Sequence, residues 1–339
     1  MSDDTRQERI QQNPALVSAS APLPPDEVPP RAAISLVLGS GGARGYAHVG
    51  VIEELRAQGY SIQSVAGSSM GALVGGVFAA GKLDAYREWA KGLKTFDVLR
   101  LVDWTWHGGG LIKGQRIIGA LRELVGEIDI EELPITYTAV AVDIDAQREV
   151  WFSRGSLFDA IRASISIPTV FRPHVYQGRR LVDGGLLNPV PVTPTLRDLT
   201  DATIAVDVNA EAEGIAERET PITRPEIIEP VPPENLHGYQ RIAALFQGFL
   251  ERRSRRRGPE AVPEPGMLEL FARSLDVVQE TLTRYKLAAQ PPDLVISIPR
   301  NVCAFYEFQR AEEVIEIGRQ RTREALARWQ HRRNGRHHL

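Results

Sequence analysis

The residues best suited to chemistry lie in one short stretch, Gly67–Gly71, which reads Gly-Ser-Ser-Met-Gly after the apolar pair Val65-Ala66. A Gly-x-Ser-x-Gly turn between a strand and a helix holds its serine in a strained conformation, with the hydroxyl clear of the sheet. The helix N-terminus beneath that hydroxyl favours negative charge. The pattern therefore offers Ser69 as a nucleophile for acyl transfer. Taken alone, it is equally typical of a small-residue turn in a packed core.

A glycine-rich loop lies upstream, where Gly39–Gly45 reads Gly-Ser-Gly-Gly-Ala-Arg-Gly after the apolar run Ile34–Leu38. Its backbone N–H groups and the helix that follows are typical of an anion site. A dinucleotide site is disfavoured because Arg44 stands where a small residue is required, and Val65–Gly67 lacks the ribose-binding acid. A P-loop is excluded because no Gly-Lys-Ser/Thr follows. The remaining hypothesis is an oxyanion hole for the tetrahedral intermediate formed at Ser69.

A carboxylate at the end of a third apolar segment completes the set of candidate groups. Asp183 follows Leu181-Val182 and precedes Gly184-Gly185, a placement that suits an acid presented at a sheet edge. A nucleophilic serine needs a base, which histidine normally supplies. The sequence therefore raises the question of which residue is the base for Ser69.

The seven histidines offer no good candidate for that base. In the order Ser, Asp, His of α/β-hydrolases, the histidine must follow Asp183. The histidines after Asp183 lie in a Pro/Glu-rich segment or a basic tail: His237, His331, His337 and His338. Those before it fit only a different order: His48, His107 and His174. The simpler interpretation is a Ser69/Asp183 dyad.

With these three motifs in this order and spacing, the chain resembles the patatin-like phospholipase family. It is most similar to the bacterial subgroup akin to the RssA-like and neuropathy-target-esterase-like proteins. Three further segments carry that similarity: Ala141–Asp143 leading to Arg148–Phe152, Ala160–Pro168, and Asn188–Val192. The resemblance spans roughly residues 34–208 and resumes over about 287–327.

The resemblance implies a serine acyl hydrolase that cleaves fatty-acyl esters of (lyso)phospholipids or related lipids through an acyl-enzyme. It places the nucleophile at Ser69, the general base at Asp183, and the oxyanion donors in the backbone of Gly41, Gly42 and Ala43. It implies neither a metal nor a cofactor. One departure is Ser40, where many family members carry glycine; the main-chain donors remain, but the loop's permitted dihedral angles change.

Two points stay open from the sequence. Arg44 either binds a phosphate head group of the substrate or braces the loop. The function is either the lipid hydrolase, a small-ester or thioester hydrolase, or a catalytically idle patatin-like regulatory or scaffold protein. The intact Ser69, Asp183 and glycine loop argue against the idle protein.

Composition limits the partners and the compartment. The 339 residues carry a net charge of −3, which gives no electrostatic case for nucleic acid. The single cysteine, Cys303, cannot form an internal disulfide, which suits a reducing compartment. We therefore expect a cytoplasmic protein that does not bind nucleic acid. The lipid or ester substrate is what the resemblance implies, and the sequence leaves the oligomeric state open.

The elements that must position the motifs alternate between strand and helix. The strand Ile34–Leu38, the helix Tyr46–Gln58, the strand before Ser69 and the helix after it predict a parallel sheet. The expected fold is therefore a patatin-like three-layer α/β/α architecture with a mostly parallel central sheet and a nucleophile elbow. A closing helix is predicted over Phe308–Trp329.

The predicted organisation has five parts. A disordered N-terminal tail (1–31) precedes the patatin-like catalytic core (32–210) and a Pro/Glu/Arg-rich helical insertion (211–265). C-terminal helices and a strand (266–330) then complete the core, and a basic tail (331–339) follows. The tail at 1–31 lacks the pattern of a signal peptide. Within the insertion, 236–257 combines an aromatic-aliphatic helical face with an arginine cluster. That face either packs on its own domain or makes a peripheral contact with the inner face of an anionic membrane.

Overall fold

The computed structural model describes residues 31–93, 110–213 and 267–336. Three predictions therefore fall largely or wholly outside the described residues: the tail 1–31, the insertion 211–265 with its segment 236–257, and the end of the basic tail.

Ten strands and seven α-helices form in the described residues. The strands are β1 Ala32–Leu38, β2 Tyr60–Ser68, β3 Gly110–Ile112, β4 Thr136–Asp143, β5 Arg148–Phe152, β6 Thr169–Phe171, β7 His174–Tyr176, β8 Arg179–Asp183, β9 Ala202–Ala210 and β10 Leu294–Pro299. The helices are α1 Ala47–Ala57, α2 Met70–Ala79, α3 Leu83–Gly92, α4 Gln115–Val125, α5 Leu157–Ser164, α6 Met267–Ala289 and α7 Ala311–Arg336.

The central sheet is mostly parallel, as predicted. Its eight strands run in the order β10-β9-β1-β2-β4-β8-β7, and β5 also pairs with β4. The first five strands of that order are parallel to one another. Strands β5 and β8 run antiparallel to β4, and β7 runs antiparallel to β8. A separate two-stranded sheet joins β3 to β6.

Helices cover both faces of this sheet. Alternate residues of β1 point to opposite sides, so Leu36 lies in the large core with α1, α2 and α7, whereas Val37 faces the other side. On that second side Val37 packs with Val190, Val192 and Ala205, and Leu287 of α6 lies against them. The architecture is therefore the predicted three-layer α/β/α fold.

Strand register brings the three motifs to one edge of the sheet. Leu38, at the end of β1, pairs with Gly67 of β2, so the glycine loop and Ser69 leave the sheet side by side. Ser68 pairs with Val140 of β4, and the next β4 residue, Ala141, pairs with Asp183. Strand β8 runs antiparallel to β4 and stops after this pair, so Asp183 lies level with the end of β2, where Ser69 begins the turn into α2.

The helices near the glycine loop and at the C-terminus have boundaries that differ from the sequence-based expectation. The glycine loop first forms a 3₁₀ turn over Gly42–Tyr46 and only then the helix α1. At the C-terminus, α7 continues to Arg336, well into the predicted basic tail. Gln330 and the arginines that follow it are good helix formers, so the helix extends past Trp329, the last buried residue among the side chains that the structure describes.

Candidate active site

Ser69 occupies a strained turn between β2 and α2. Its backbone dihedrals are φ 55° and ψ −123°, a combination that side-chain-bearing residues rarely adopt. Such a conformation costs about 1–3 kcal/mol and persists only where the surrounding structure enforces it. A Cβ at Gly71 would lie 2.1 Å from the carbonyl oxygen of Leu38, so only glycine fits beneath the turn. The predicted nucleophile elbow is therefore present in its geometry.

The Ser69 backbone is held by a residue that the motif analysis did not single out. The N–H of Ser69 donates to Ser164 Oγ at 2.9 Å, and that hydroxyl donates to the carbonyl oxygen of Val140 at 2.6 Å. Ser164 is fully buried at the end of α5. It lies inside the segment 160–168 that carried the family resemblance, which was the only sequence signal for it.

The Ser69 hydroxyl donates directly to Asp183. The distance from Ser69 Oγ to Asp183 Oδ2 is 2.6 Å, and the second carboxylate oxygen accepts the N–H of Gly185 at 2.8 Å. Ser69 is 4% exposed and Asp183 is 3% exposed. The structure thus brings together the two residues of the predicted dyad in a site shielded from water.

Burial changes the proton affinity of this carboxylate. It raises the pKa of Asp183 from 3.8 to about 7, while the hydrogen bonds from Ser69 and Gly185 oppose the rise. Desolvation raises the pKa by more than the two hydrogen bonds lower it. Among the described residues no cation pairs with the carboxylate to lower its pKa further. A carboxylate with this pKa is matched to proton transfer near neutral pH.

Neither histidine that precedes Asp183 in the described residues bonds to Ser69. His48 is fully buried, and its Nε2–H donates to the carbonyl oxygen of Gly39 at 2.8 Å. Burial lowers the pKa of His48 to about 4. His174 Nε2 lies 3.2 Å from Asp159, and burial lowers its pKa as well.

The later histidines add no candidate base among the described residues. His331 is exposed on α7. The others lie outside the part of the chain that the structure describes: His107, His237, His337 and His338.

The three predicted oxyanion donors of the glycine loop differ in whether their N–H groups are already occupied. Among the described residues, no acceptor takes the N–H groups of Gly41 and Gly42. The N–H of Ala43 instead donates to the carbonyl oxygen of Phe305 at 2.8 Å. The prediction of Ala43 as an oxyanion donor is therefore wrong for this conformation, because a contact from a distant loop already occupies that group.

Arg44 lies beneath the loop rather than in a substrate cleft. It is 3% exposed, and its Nη2 donates to Asp276 at 2.7 Å. Its Nε also donates to the carbonyl oxygen of Gly41 at 3.3 Å. Of the two interpretations, the structure supports the loop brace, and the assignment of Arg44 to substrate binding is corrected on grounds of burial and pairing.

A family model described as patatin-like phospholipase matches residues 36–196, which contain all three motifs. Over 334 residues the chain is 41% identical to an uncharacterized NTE family protein of Mycobacterium tuberculosis, covering 86% of this chain and 91% of that protein. The chain belongs to the patatin-like phospholipase family. A protein of the same description from Mycobacterium bovis gives the same values.

A more distant relative of this patatin-like phospholipase chain is the neuropathy target esterase sws of Drosophila persimilis. It is 33% identical over 165 residues, covering 47% of this chain and 11% of that protein. In the part of the present chain that the structure describes, no helix is both long and apolar enough to cross a bilayer.

Proposed function

We propose that this protein is a serine acyl hydrolase that cleaves fatty-acyl esters of (lyso)phospholipids or related lipids. The observation that carries the proposal is the hydrogen bond of 2.6 Å from Ser69 Oγ to Asp183 Oδ2, made by a serine in a strained elbow. The family to which the chain belongs acts on lipids, which supports the substrate class.

In the proposed acylation step, the ionised Asp183 carboxylate accepts the hydroxyl proton as Ser69 Oγ attacks the ester carbonyl carbon. The carbonyl electron pair moves to oxygen, and the N–H groups of Gly41 and Gly42 donate to that oxyanion. Protonated Asp183 then gives its proton to the leaving alcohol oxygen as the carbon–oxygen bond breaks. The product is an acyl-enzyme on Ser69 and a free alcohol or lysolipid.

In the deacylation step, water occupies the position of the departed alcohol. Asp183 accepts a proton from this water, whose oxygen attacks the acyl carbonyl carbon. Collapse of the second tetrahedral intermediate releases the fatty acid, and Asp183 returns the proton to Ser69 Oγ. No metal enters either step.

Two features of the site suit a carboxylate base in place of histidine. An ordinary aspartate is a weak base at neutral pH, but burial raises the pKa of Asp183 to about 7. The second feature is the pair of oxyanion donors, which stabilise the transition state. Loss of one such donor raises the activation barrier by about 2.7–4 kcal/mol in comparable enzymes.

The first experiment compares wild type with Ser69→Ala on a medium-chain p-nitrophenyl ester and on a lysophospholipid. Ser61→Ala is the matched control, because it removes a hydroxyl from the opposite end of β2. Circular dichroism checks the fold of each variant. We expect Ser69→Ala to lose all turnover and Ser61→Ala to retain it.

The same assay separates the alternatives. A preference for short acyl chains with no effect of added liposomes would point to a small-ester or thioester hydrolase. No activity of wild type on any acyl length, with or without liposomes, would refute the hydrolase and favour the idle scaffold.

The predicted location and membrane contact remain proposals based on the sequence. A cytoplasmic protein that touches anionic lipid through 236–257 is expected to co-sediment with phosphatidylglycerol vesicles at low salt and to dissociate at high salt. Failure of the full chain to sediment would remove the membrane contact from the proposal.

A further inference from the structure

One face of helix α6 contacts the glycine loop at both of its ends. Asp276 pairs with Arg44, and Gln279, one turn later, accepts a hydrogen bond of 3.0 Å from Ser40 Oγ at its Oε1. Residues three apart on a helix project from the same face. Helix α6 therefore holds the loop on either side of Gly41 and Gly42, whose N–H groups find no acceptor in the part of the chain that the structure describes.

Gln279 also reaches the turn that carries the proposed base. A Cβ on Gly185 would lie 2.6 Å from Gln279 Nε2 and 2.7 Å from Ser40 Oγ. The Gln279 amide and the Ser40 hydroxyl thus pack directly on the Gly185 backbone. The N–H of Gly185 is the group that donates to Asp183 Oδ1. Gln279 is in contact with both halves of the proposed catalytic machinery.

A second amide fixes the orientation of Gln279. Asn209, near the end of β9, donates through Nδ2 to the carbonyl oxygen of Ser40 at 2.8 Å and to Gln279 Oε1 at 3.3 Å. Gln279 Oε1 therefore accepts from two donors, a hydroxyl and an amide, which directs its Nε2 toward Gly185. Gln279 is 6% exposed, so water does not compete strongly for these bonds.

We infer that Gln279 is a positioning residue that sets the distance between the oxyanion loop and Asp183. It acts through Ser40 on the loop and through Gly185 on the base turn, and it contacts neither substrate nor reacting atoms. The inference rests on the proposed function. It adds to that function a control element on a helix outside the three catalytic motifs.

Displacement of catalytic groups by about 1 Å can cost about 100-fold in rate. Gln279→Met keeps the side-chain length but removes the amide oxygen that accepts from Ser40. We expect kcat per active site to fall about 10- to 100-fold with KM nearly unchanged, since substrate contacts are retained. Counting active sites by fluorophosphonate labelling separates this effect from a smaller folded fraction, which is all that a merely structural role would change.

The test also measures coupling between the two residues. If Gln279 acts on the loop through Ser40, the double variant Ser40→Ala/Gln279→Met is expected to lose no more activity than Gln279→Met alone, because the two effects are not additive. Thr281→Ala is the matched control on the same helix, because this exposed hydroxyl donates to the carbonyl oxygen of Val277 within α6. Unchanged kcat in Gln279→Met, or additive losses in the double variant, would overturn the inference.

An activity-independent measurement keeps the inference separate from the proposed function. Hydrogen–deuterium exchange of the amides in 40–46 is expected to be at least several-fold faster in Gln279→Met than in wild type or Thr281→Ala. If wild type hydrolyses no ester, the proposed function fails, and the exchange result still decides whether Gln279 holds the loop. Equal exchange in all three proteins would refute the positioning role.

Discussion

Replacing Asp183 by asparagine is expected to abolish turnover and to stabilise the protein above neutral pH. The carboxylate is buried, and its pKa is raised from 3.8 to about 7. Between these two values the unfolded chain has released the proton while the native protein still binds it, so stability falls as pH rises. A difference of about three units at 1.36 kcal/mol each amounts to about 4 kcal/mol of stability lost by pH 8. Asparagine has no such ionisation.

Urea denaturation at pH 5 and pH 8 measures this difference. By pH 5 the wild type has lost only the first part of the contribution, so the advantage of Asp183→Asn is expected to grow by about 3 kcal/mol between the two pH values. Asp145→Asn is the control, because Asp145 is exposed and its pairing with Arg180 lowers its pKa. The burial argument is refuted if the advantage of Asp183→Asn is the same at both pH values. Near-normal turnover in Asp183→Asn would instead identify another base, with His48 and His174 the first to test.

Three further substitutions test the surroundings of the dyad. Ser164→Ala leaves the buried N–H of Ser69 without its acceptor, so urea denaturation is expected to show a loss of about 1–3 kcal/mol, with lower kcat. His48→Gln removes a neutral buried imidazole whose pKa is about 4, compared with 6.5 when exposed. As pH falls from 6.5 to 4, the free energy of unfolding of wild type should therefore fall by about 3 kcal/mol more than that of this variant, as measured by urea denaturation. Equal decreases in the two proteins would contradict the burial of His48. Arg44→Lys keeps the charge but cannot reach Asp276 and the carbonyl oxygen of Gly41 together, as the guanidinium does, and kcat/KM should fall equally for a lysophospholipid and a neutral p-nitrophenyl ester. A decrease in kcat/KM confined to the lysophospholipid would instead support the interpretation that Arg44 binds a phosphate head group.

The sequence was sufficient for features that depend on local pattern. The alternation of strand and helix predicted the parallel sheet, and the glycines around Ser69 predicted the elbow, because backbone geometry there requires those residue types. Asp183 was predicted as the partner of Ser69 from its place at the end of a strand, the lack of a suitable histidine and the family resemblance, and the two side chains lie in hydrogen-bond contact. The sheet and the elbow needed only residues near one another in the chain, whereas Asp183 also needed a comparison of all seven histidines.

Contacts between segments that are distant in the chain could not be predicted from local sequence patterns. Ser164 is 95 residues from Ser69, and Gln279 is 239 residues from Ser40, so no local pattern links either pair. The loss of the Ala43 donor follows from the approach of Phe305, a neighbour only in the folded protein. The raised pKa of Asp183 likewise depends on burial, which is a property of the assembled site.

The cost of the site to folding stability helps to distinguish a catalytic protein from an idle one. Ser69 holds a backbone conformation that costs about 1–3 kcal/mol, and an ionised Asp183 costs about 4 kcal/mol at alkaline pH. Together these amount to about 5–7 kcal/mol, which is comparable to the lower end of the net stability of an ordinary domain, about 5–15 kcal/mol. A regulatory or scaffold protein gains nothing from either feature, since glycine at 69 and asparagine at 183 would relieve both. A site that retains both costs in one hydrogen-bonded pair is therefore better explained by catalysis than by an idle fold.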